Sequence, residues 1–269
     1  MPFAFSDRHI DEYHTLGYTV FRGILPPALL GDLRRVCAEA ALLARRENGP
    51  QSQRLQPLER DDLDQRPLVD YAELPELNDA IARLLSPAHR HGQGHVMGVL
   101  LEPAERPYCT AWHRDWRDNM AALDLSRWDE HFADPRYFNQ VNCALYAESC
   151  TWVVPGSHLR RDLPSEAARF PGRPVPGPDL ADCDAAEAER RCLEYARSMP
   201  GAVQLHLEAG DFCLYRNTLW HLGNYVPYRQ RATLHDAVDT DEFFAWRQET
   251  LEDIRARREA GAGWENPNP

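Results

Sequence analysis

The sequence predicts an α+β chain with a mainly β core, folded as one barrel- or sandwich-type domain over residues 1–269 with helices outside it. Three observations predict it. From about residue 93 to 238, short segments rich in β-branched and aromatic residues recur between turn signals such as Pro155-Gly156-Ser157 and Gly210-Asp211. These segments do not alternate with helices in the manner of a parallel βαβ sheet. Helical spacing is concentrated at the two ends of the chain and in one interruption.

The elements follow in order. Residues 7–15 carry Ile10, Tyr13 and His14 at helical spacing, and residues 26–46 carry Leu29, Leu30, Leu33, Val36 and Cys37, with Pro26 and Pro27 suited to a helix start. Between them, residues 17–23 read as a short strand bounded by glycines. Residues 47–68 are polar and predict a loop, and a further helix is expected over 75–86, ending before Pro87. Strands are expected at 95–102, 139–147, 150–154, 202–207, 211–216 and 231–238. The stretch 160–201 interrupts the β core with Pro and Gly and then a charged helix near 184–198; an insertion of this length is expected to be a lid, a binding loop or a surface excursion. Residues 241–258 predict a closing helix, followed by a frayed tail.

Composition narrows the function classes. Thirty Lys+Arg against 42 Asp+Glu give a net charge of −12, which repels a phosphate backbone, so nucleic acid is not an expected partner. No apolar run is long enough to span a membrane, and the charged N-terminus does not read as a signal peptide. The expected setting is cytoplasmic. Seven scattered cysteines without a C-x-x-C pair predict reduced thiols rather than a disulfide framework or a zinc site.

The chemistry-bearing pattern is His-x-Asp/Glu, which in a strand places two ligands on one face. It occurs at His9/Asp11, His113/Asp115 and His206/Glu208, and with eleven histidines about one such spacing arises by chance. Position discriminates among the three. His9 and Asp11 open the first helix, where an acid complements the helix dipole. In VQLHLEAGD the alternation turns Val203, Leu205 and Leu207 inward and His206 and Glu208 outward. Only His113 and Asp115 lie in an aromatic setting at the edge of the β region, and His221 after Trp220 is placed to add a second imidazole. Two imidazoles and one carboxylate on one side of a metal leave open positions, which suits iron(II) in an oxygenase and also zinc in a hydrolase. Downstream, Arg229, Arg231, Thr233 and His235 share one strand face, and a guanidinium there would grip the distant carboxylate of a 2-oxo acid chelated to iron. Parity does not choose between the arginines; Arg231 lies inside the strand pattern and is preferred.

These residues carry a resemblance. The chain resembles the phytanoyl-CoA hydroxylase-like family of iron(II)- and 2-oxoglutarate-dependent dioxygenases. The match runs over about residues 8–240, through Gly17-Tyr-Thr-Val-Phe-Arg-Gly-Ile-Leu, Trp112-His-Arg-Asp115, Val154-Pro-Gly-Ser-His158, Glu208-Ala-Gly-Asp-Phe and Trp220-His221. The resemblance implies a double-stranded β-helix (a cupin-like jelly roll) with flanking helices, Fe(II) held by His113, Asp115 and His221, and 2-oxoglutarate gripped by Arg231. It also implies that Asn142 and Gln140 line the co-substrate pocket, with satisfied core amides as the equal reading, and that His158 is structural or supports the metal ligands from behind. The interval from His221 to Arg231 is about one residue shorter than the family pattern, which keeps Arg229 beside Arg231 as a candidate. Related halogenases lack the carboxylate ligand; Asp115 is present here, which favours hydroxylation of a small-molecule intermediate with molecular oxygen, releasing succinate and CO2, over halogenation, and leaves desaturation, ring formation and epoxidation open. Trp116, Arg117, Trp152 and the 160–201 segment are candidates for the substrate wall. The competing readings are a non-catalytic jelly-roll module that binds a metal or small ligand, and a zinc hydrolase using the same triad.

Overall fold

A computed structural model describes residues 3–265 and 267; Met1, Pro2, Asn266, Asn268 and Pro269 lie outside the described residues. The chain opens with helix α1 (Asp7–Leu16), strand β1 (Tyr18–Phe21) and the long helix α2 (Pro27–Asn48). Gly17 ends α1 at φ 86°, and a Cβ there would meet the His158 ring at 2.5 Å, so both backbone and packing require glycine. Pro27 starts α2 where its missing N–H costs nothing.

Next come β2 (Arg54–Leu55), α3 (Arg66–Ala72), α4 (Pro75–Leu84), β3 (Gly98–Leu101), β4 (Tyr108–Cys109), α5 (Leu125–His131), β5 (Asn139–Ala144) and β6 (Thr151–Val153). After a short 3-10 turn follow α6 (Pro164–Arg169), α7 (Ala185–Arg197), β7 (Val203–Gln204), β8 (Phe212–Arg216), β9 (His221–Tyr225), β10 (Ala232–Ala237) and α8 (Asp241–Glu259). The expected strands are present but shorter. Six elements were not legible: β2 inside a polar stretch and α3 at its end, β4, α5, α6, and β9, whose Gly223-Asn224 reads as a turn. Val203, expected inward, is 37% exposed, because the strand there is only two residues long.

The strands form two antiparallel sheets, in the orders β1-β8-β5-β10-β3-β2 and β4-β9-β6-β7. Period-two alternation divides the large sheet. Val141, Cys143, Leu214 and Leu234 face α2, α3 and α4 in one apolar core with Leu33, Val36 and Ile81. Gln140, Asn142, Tyr215 and His235 face the other way, into a cavity shared with the small sheet. The outer face of the small sheet is covered by the 160–201 segment: Trp152 and Leu222 pack with Phe170, Cys192, Tyr195 and Met199. The C-terminal tail is not frayed through its described part, since the Gly263 carbonyl accepts a hydrogen bond from Ala122 at 2.7 Å. No helix among the described residues is long and apolar enough to cross a membrane.

Candidate metal centre

His113 and His221 lie opposite one another on neighbouring backbones and exchange both N–H···O bonds at 3.0 Å. That pairing puts their rings side by side, centroids 4.2 Å apart. Each ring donates Nδ1–H to the carbonyl two residues before it, His113 to Ala111 at 2.8 Å and His221 to Leu219 at 2.9 Å. Both Nε2 atoms are thereby left as lone-pair donors on the same side. Asp115 Oδ1 lies 3.4 Å from His113 Nε2 and 3.9 Å from His221 Nε2. Among the described residues this is the one group of three His, Cys, Asp or Glu that could hold a metal ion, its donor atoms all within 4.8 Å of one another.

The electrostatics fit a cation site. Burial opposes ionisation of Asp115, but the imidazoles beside it outweigh burial and hold its carboxyl below the usual carboxylate range. Burial, and then the neighbouring His113, lower His221 to about 4, so that ring is neutral and ready to coordinate. Burial also disfavours charge on His113, but the Asp115 carboxylate prevails and raises its pKa. Asp115 is held by Asn119 at 2.9 Å and Asn217 at 3.0 Å. From Asn217 a chain of hydrogen bonds runs along the cavity floor through Gln140, His235 and Asn142 to Thr151, each link 2.9–3.1 Å.

The loop that carries His113 and Asp115 is clamped from behind by buried ions. Arg114, Arg117 and Arg173 meet Asp118 and Asp162: Arg117–Asp118 is 2.8 Å, Arg117–Asp162 2.9 Å, Arg114–Asp162 3.0 Å, and Arg173 contacts both acids. All five side chains are 4% exposed or less. Asp118 Oδ2 also accepts from the Arg114 backbone N–H at 2.8 Å, which fixes the turn between His113 and Asp115. Burial and then Arg117 pull Arg114 down to about 9. The signal for this cluster was the charge-dense stretch Arg114–Asp118, which sequence reading had assigned to the substrate wall through Arg117.

The model of the phytanoyl-CoA dioxygenase (PhyH) family matches residues 13–224. The chain belongs to the phytanoyl-CoA dioxygenase family. It is an enzyme of the dioxygenase class that works with iron and 2-oxoglutarate. Its fold is similar to that of EvdMO1 (TM-score 0.57, 18% identity, 87% of this chain covered), of whose length the chain spans 49%. It is similar also to the non-heme alpha ketoglutarate dependent carbocyclase SnoK from nogalamycin biosynthesis (0.55, 17%, 88% of this chain and 84% of that one). A third likeness is to the epimerase SnoN in complex with Fe3+, alpha ketoglutarate and nogalamycin RO (0.52, 20%, 87% and 83%). No curated protein sequence matches significantly. Membership sets aside the non-catalytic module and the zinc hydrolase.

In this dioxygenase the triad opens into a cavity of about 630 Å³ between the sheets. Gln140, Asn142 and Arg231 line it. Arg231 is 4% exposed, lies 4.7 Å over the Tyr225 ring, and its Nε donates to Glu148 at 2.6 Å. Arg229, two residues earlier, is exposed and lines a second, smaller cavity of about 210 Å³ instead. Thr233 stands on the Arg231 face of β10; its Oγ1 is buried without a hydrogen-bond partner. Gly223 leaves room for Tyr225, whose hydroxyl would lie 1.7 Å from a Cβ there.

Trp116 lines the cavity, at φ 67°, a conformation that costs a non-glycine residue about 1–3 kcal/mol and is found at functional turns. Its ring packs edge-on against Trp246 of α8 at 4.8 Å. The other two wall candidates are corrected. Arg117 is spent in the ion cluster, and Trp152 points out of the small sheet because parity in β6 sends it with Leu222 to the outer face. No residue of 160–201 lines the cavity; α7 packs behind the small sheet, and α8, with Phe243, Phe244 and Arg247, takes the wall position. His158 is buried outside the cavity, and His206 and Glu208 are exposed.

At the α8 end of the cavity, burial pushes the Asp236 carboxyl up to about 7; burial and then Asp236 push Asp239 up to about 8 against the pull of Arg247. A carboxyl whose folded pKa is raised contributes stability that is full below its unfolded pKa near 4 and is lost as pH rises through the folded value. Asp239→Asn is therefore expected to flatten the fall of stability between about pH 4 and 8, by on the order of 1 kcal/mol per pH unit. Melting temperatures of both proteins across that range test it; parallel curves would show that Asp239 is already ionised in the fold.

Proposed function

We propose that this dioxygenase hydroxylates an unactivated C–H bond of a small-molecule biosynthetic intermediate, with Fe(II) on His113, Asp115 and His221 and 2-oxoglutarate gripped by Arg231. The observation that carries the reading is the donor set: two imidazoles with Nδ1 tied back to carbonyls and Nε2 free, facing one ionised carboxylate. When bound, iron and 2-oxoglutarate supply the oxidising power, drawn from molecular oxygen, as the co-substrate is converted to succinate and CO2.

The chain's own residues bind and orient. The Nδ1 hydrogen bonds fix each ring's tautomer and direction, and Asn217 fixes the carboxylate. Arg231 keeps its charge at every working pH, since burial is outweighed by Glu148, and the Nη edge left free of Glu148 is the part that pairs with the distal carboxylate of 2-oxoglutarate. Thr233 Oγ1, buried and unpartnered beside it, is a ready donor to the same group. Gln140 and Asn142 complete the polar floor. Trp116, Met120 and Phe243 form the apolar wall that keeps water from the reacting C–H. Asp115 fills the carboxylate position that halogenases leave open, which favours hydroxylation. The two sheets are read as the halves of a double-stranded β-helix in one domain, and seven free cysteines suit a reducing cytoplasm.

Titration of the Mn(II)-loaded chain with 2-oxoglutarate tests the grip. Arg231→Ala is expected to weaken 2-oxoglutarate binding on the order of 30- to 100-fold, the worth of a hydrogen-bonded charge pair, while Arg229→Ala leaves it unchanged. The reverse pattern would move the grip to Arg229; no 2-oxoglutarate binding by the wild-type chain would sink the reading.

A further inference from the structure

Three arginines line the cavity. Arg231 is ion-paired with Glu148. Arg247, exposed on α8, acts on Asp239 from a distance without pairing with it. Arg54 is not ion-paired either. Among the described residues no carboxylate lies within 4 Å of it, and its side chain bonds only the neutral amide of Gln56. In a chain with twelve more acids than bases this isolation is conspicuous, and because the sequence contains no lysine, any cationic grip on a ligand has to be a guanidinium.

The sheet register explains where Arg54 points. It stands opposite Leu100 on β3, and Leu100 stands opposite Thr233 on β10. Arg54, Leu100 and Thr233 thus form one row on the inner face, running from the sheet edge to the residue beside Arg231. In the adjacent row Gly98 stands opposite His235 and presents no side chain; a Cβ there would come within 2.9 Å of Gln56 Cβ. The space that a side chain at Gly98 would take is filled by Gln56, the residue whose amide oxygen accepts from Arg54. Arg54 is exposed at the sheet edge, and its partial burial lowers its pKa against the opposing influence of Asp115, Tyr225 and Tyr215, all of which line the same cavity. Across the cavity, Trp116, Met120, Phe243 and Phe244 supply apolar surface.

We infer that Arg54 is a specificity-determining residue that anchors an oxyanion of the substrate, a carboxylate or a phosphate carried on an apolar, ring-sized body. This rests on reading the cavity as the iron and 2-oxoglutarate centre. Arg54 at the edge strand then fixes one end of the substrate while the aromatic wall holds the body against the triad.

The test uses the full chain loaded with Mn(II) and 2-oxoglutarate, whose own affinities are measured first in wild type, Arg54→Gln and Arg54→Lys. The probes are benzoate and phenyl phosphate, with benzamide as the neutral match, read by calorimetry. Wild type is expected to bind one of the anionic probes at least about tenfold tighter than benzamide, about 1.4 kcal/mol. Arg54→Gln should erase that preference, Arg54→Lys should keep part of it, and 2-oxoglutarate affinity should be the same in all three. Equal binding of the three probes by wild type, or a preference that survives in Arg54→Gln, overturns the proposal. A tenfold loss of 2-oxoglutarate affinity in Arg54→Gln also overturns it, because the residue would then serve the co-substrate. If wild type binds neither Mn(II) nor 2-oxoglutarate, the underlying reading fails and this inference with it.

Discussion

Asp115→Ala is expected to lose metal affinity on the order of a hundredfold or more, and with it all 2-oxoglutarate turnover, while the chain stays folded. The expectation follows from what the side chain does. It is the sole carboxylate among the three donors, so removing it leaves a two-imidazole site without charge compensation for a divalent cation. Perturbing a mere supporting residue of such a site already costs 10–100-fold, roughly. The fold has little reason to fail, because the His113–His221 backbone pairing does not depend on the carboxylate. Calorimetry with Mn(II), circular dichroism and succinate release read the three quantities separately. A variant that binds metal within a few-fold of wild type would remove Asp115 from the site.

The second large effect lies behind the site. Asp118→Ala leaves Arg117 and Arg173, 4% and 1% exposed, with only Asp162 of the two acids they share, and Arg114 draws on that acid as well. Stripping one partner from a buried ion cluster costs about 3–5 kcal/mol, because the remaining charges are unsolvated and only partly compensated. For a chain of this size that is a fall in melting temperature on the order of 10 °C. It also frees the Arg114 amide that Asp118 holds, so metal affinity at temperatures where the variant is folded should drop roughly 10- to 100-fold. Asp118→Asn keeps the acceptor for that amide and should recover more of the metal affinity than of the stability. A variant with unchanged melting temperature and metal affinity would show that the cluster neither stabilises the chain nor positions the ligands.

The cluster also explains the insertion. Asp162 and Arg173 belong to the 160–201 segment, so a stretch expected to be a lid, a binding loop or a surface excursion braces the loop of His113 and Asp115 from the side away from the cavity. Nothing local in its sequence separates the two roles. Proline, glycine and charge describe a connection that leaves the β core, but not which face of the core it returns to.

By itself, the sequence singled out the candidate donors and the order of the framework. His113-x-Asp115 and His221 were legible because imidazoles and a carboxylate in an aromatic setting are chemically scarce, and local spacing fixes which side chains on a strand share a face. It also placed α1, α2, α7 and α8 and most strands, since periodicity is a local property. The tertiary structure alone decided which shared face is the inside. Arg229 and Arg231 have the same parity, yet one is exposed beside the smaller cavity and the other is buried against Tyr225 and Glu148. Trp152 obeys the alternation and still points away from the site, while Arg54, from a stretch read as loop, lines it. Alternation gives relative orientation along one strand; only the second sheet and the helices packed on each face turn that into inside and outside.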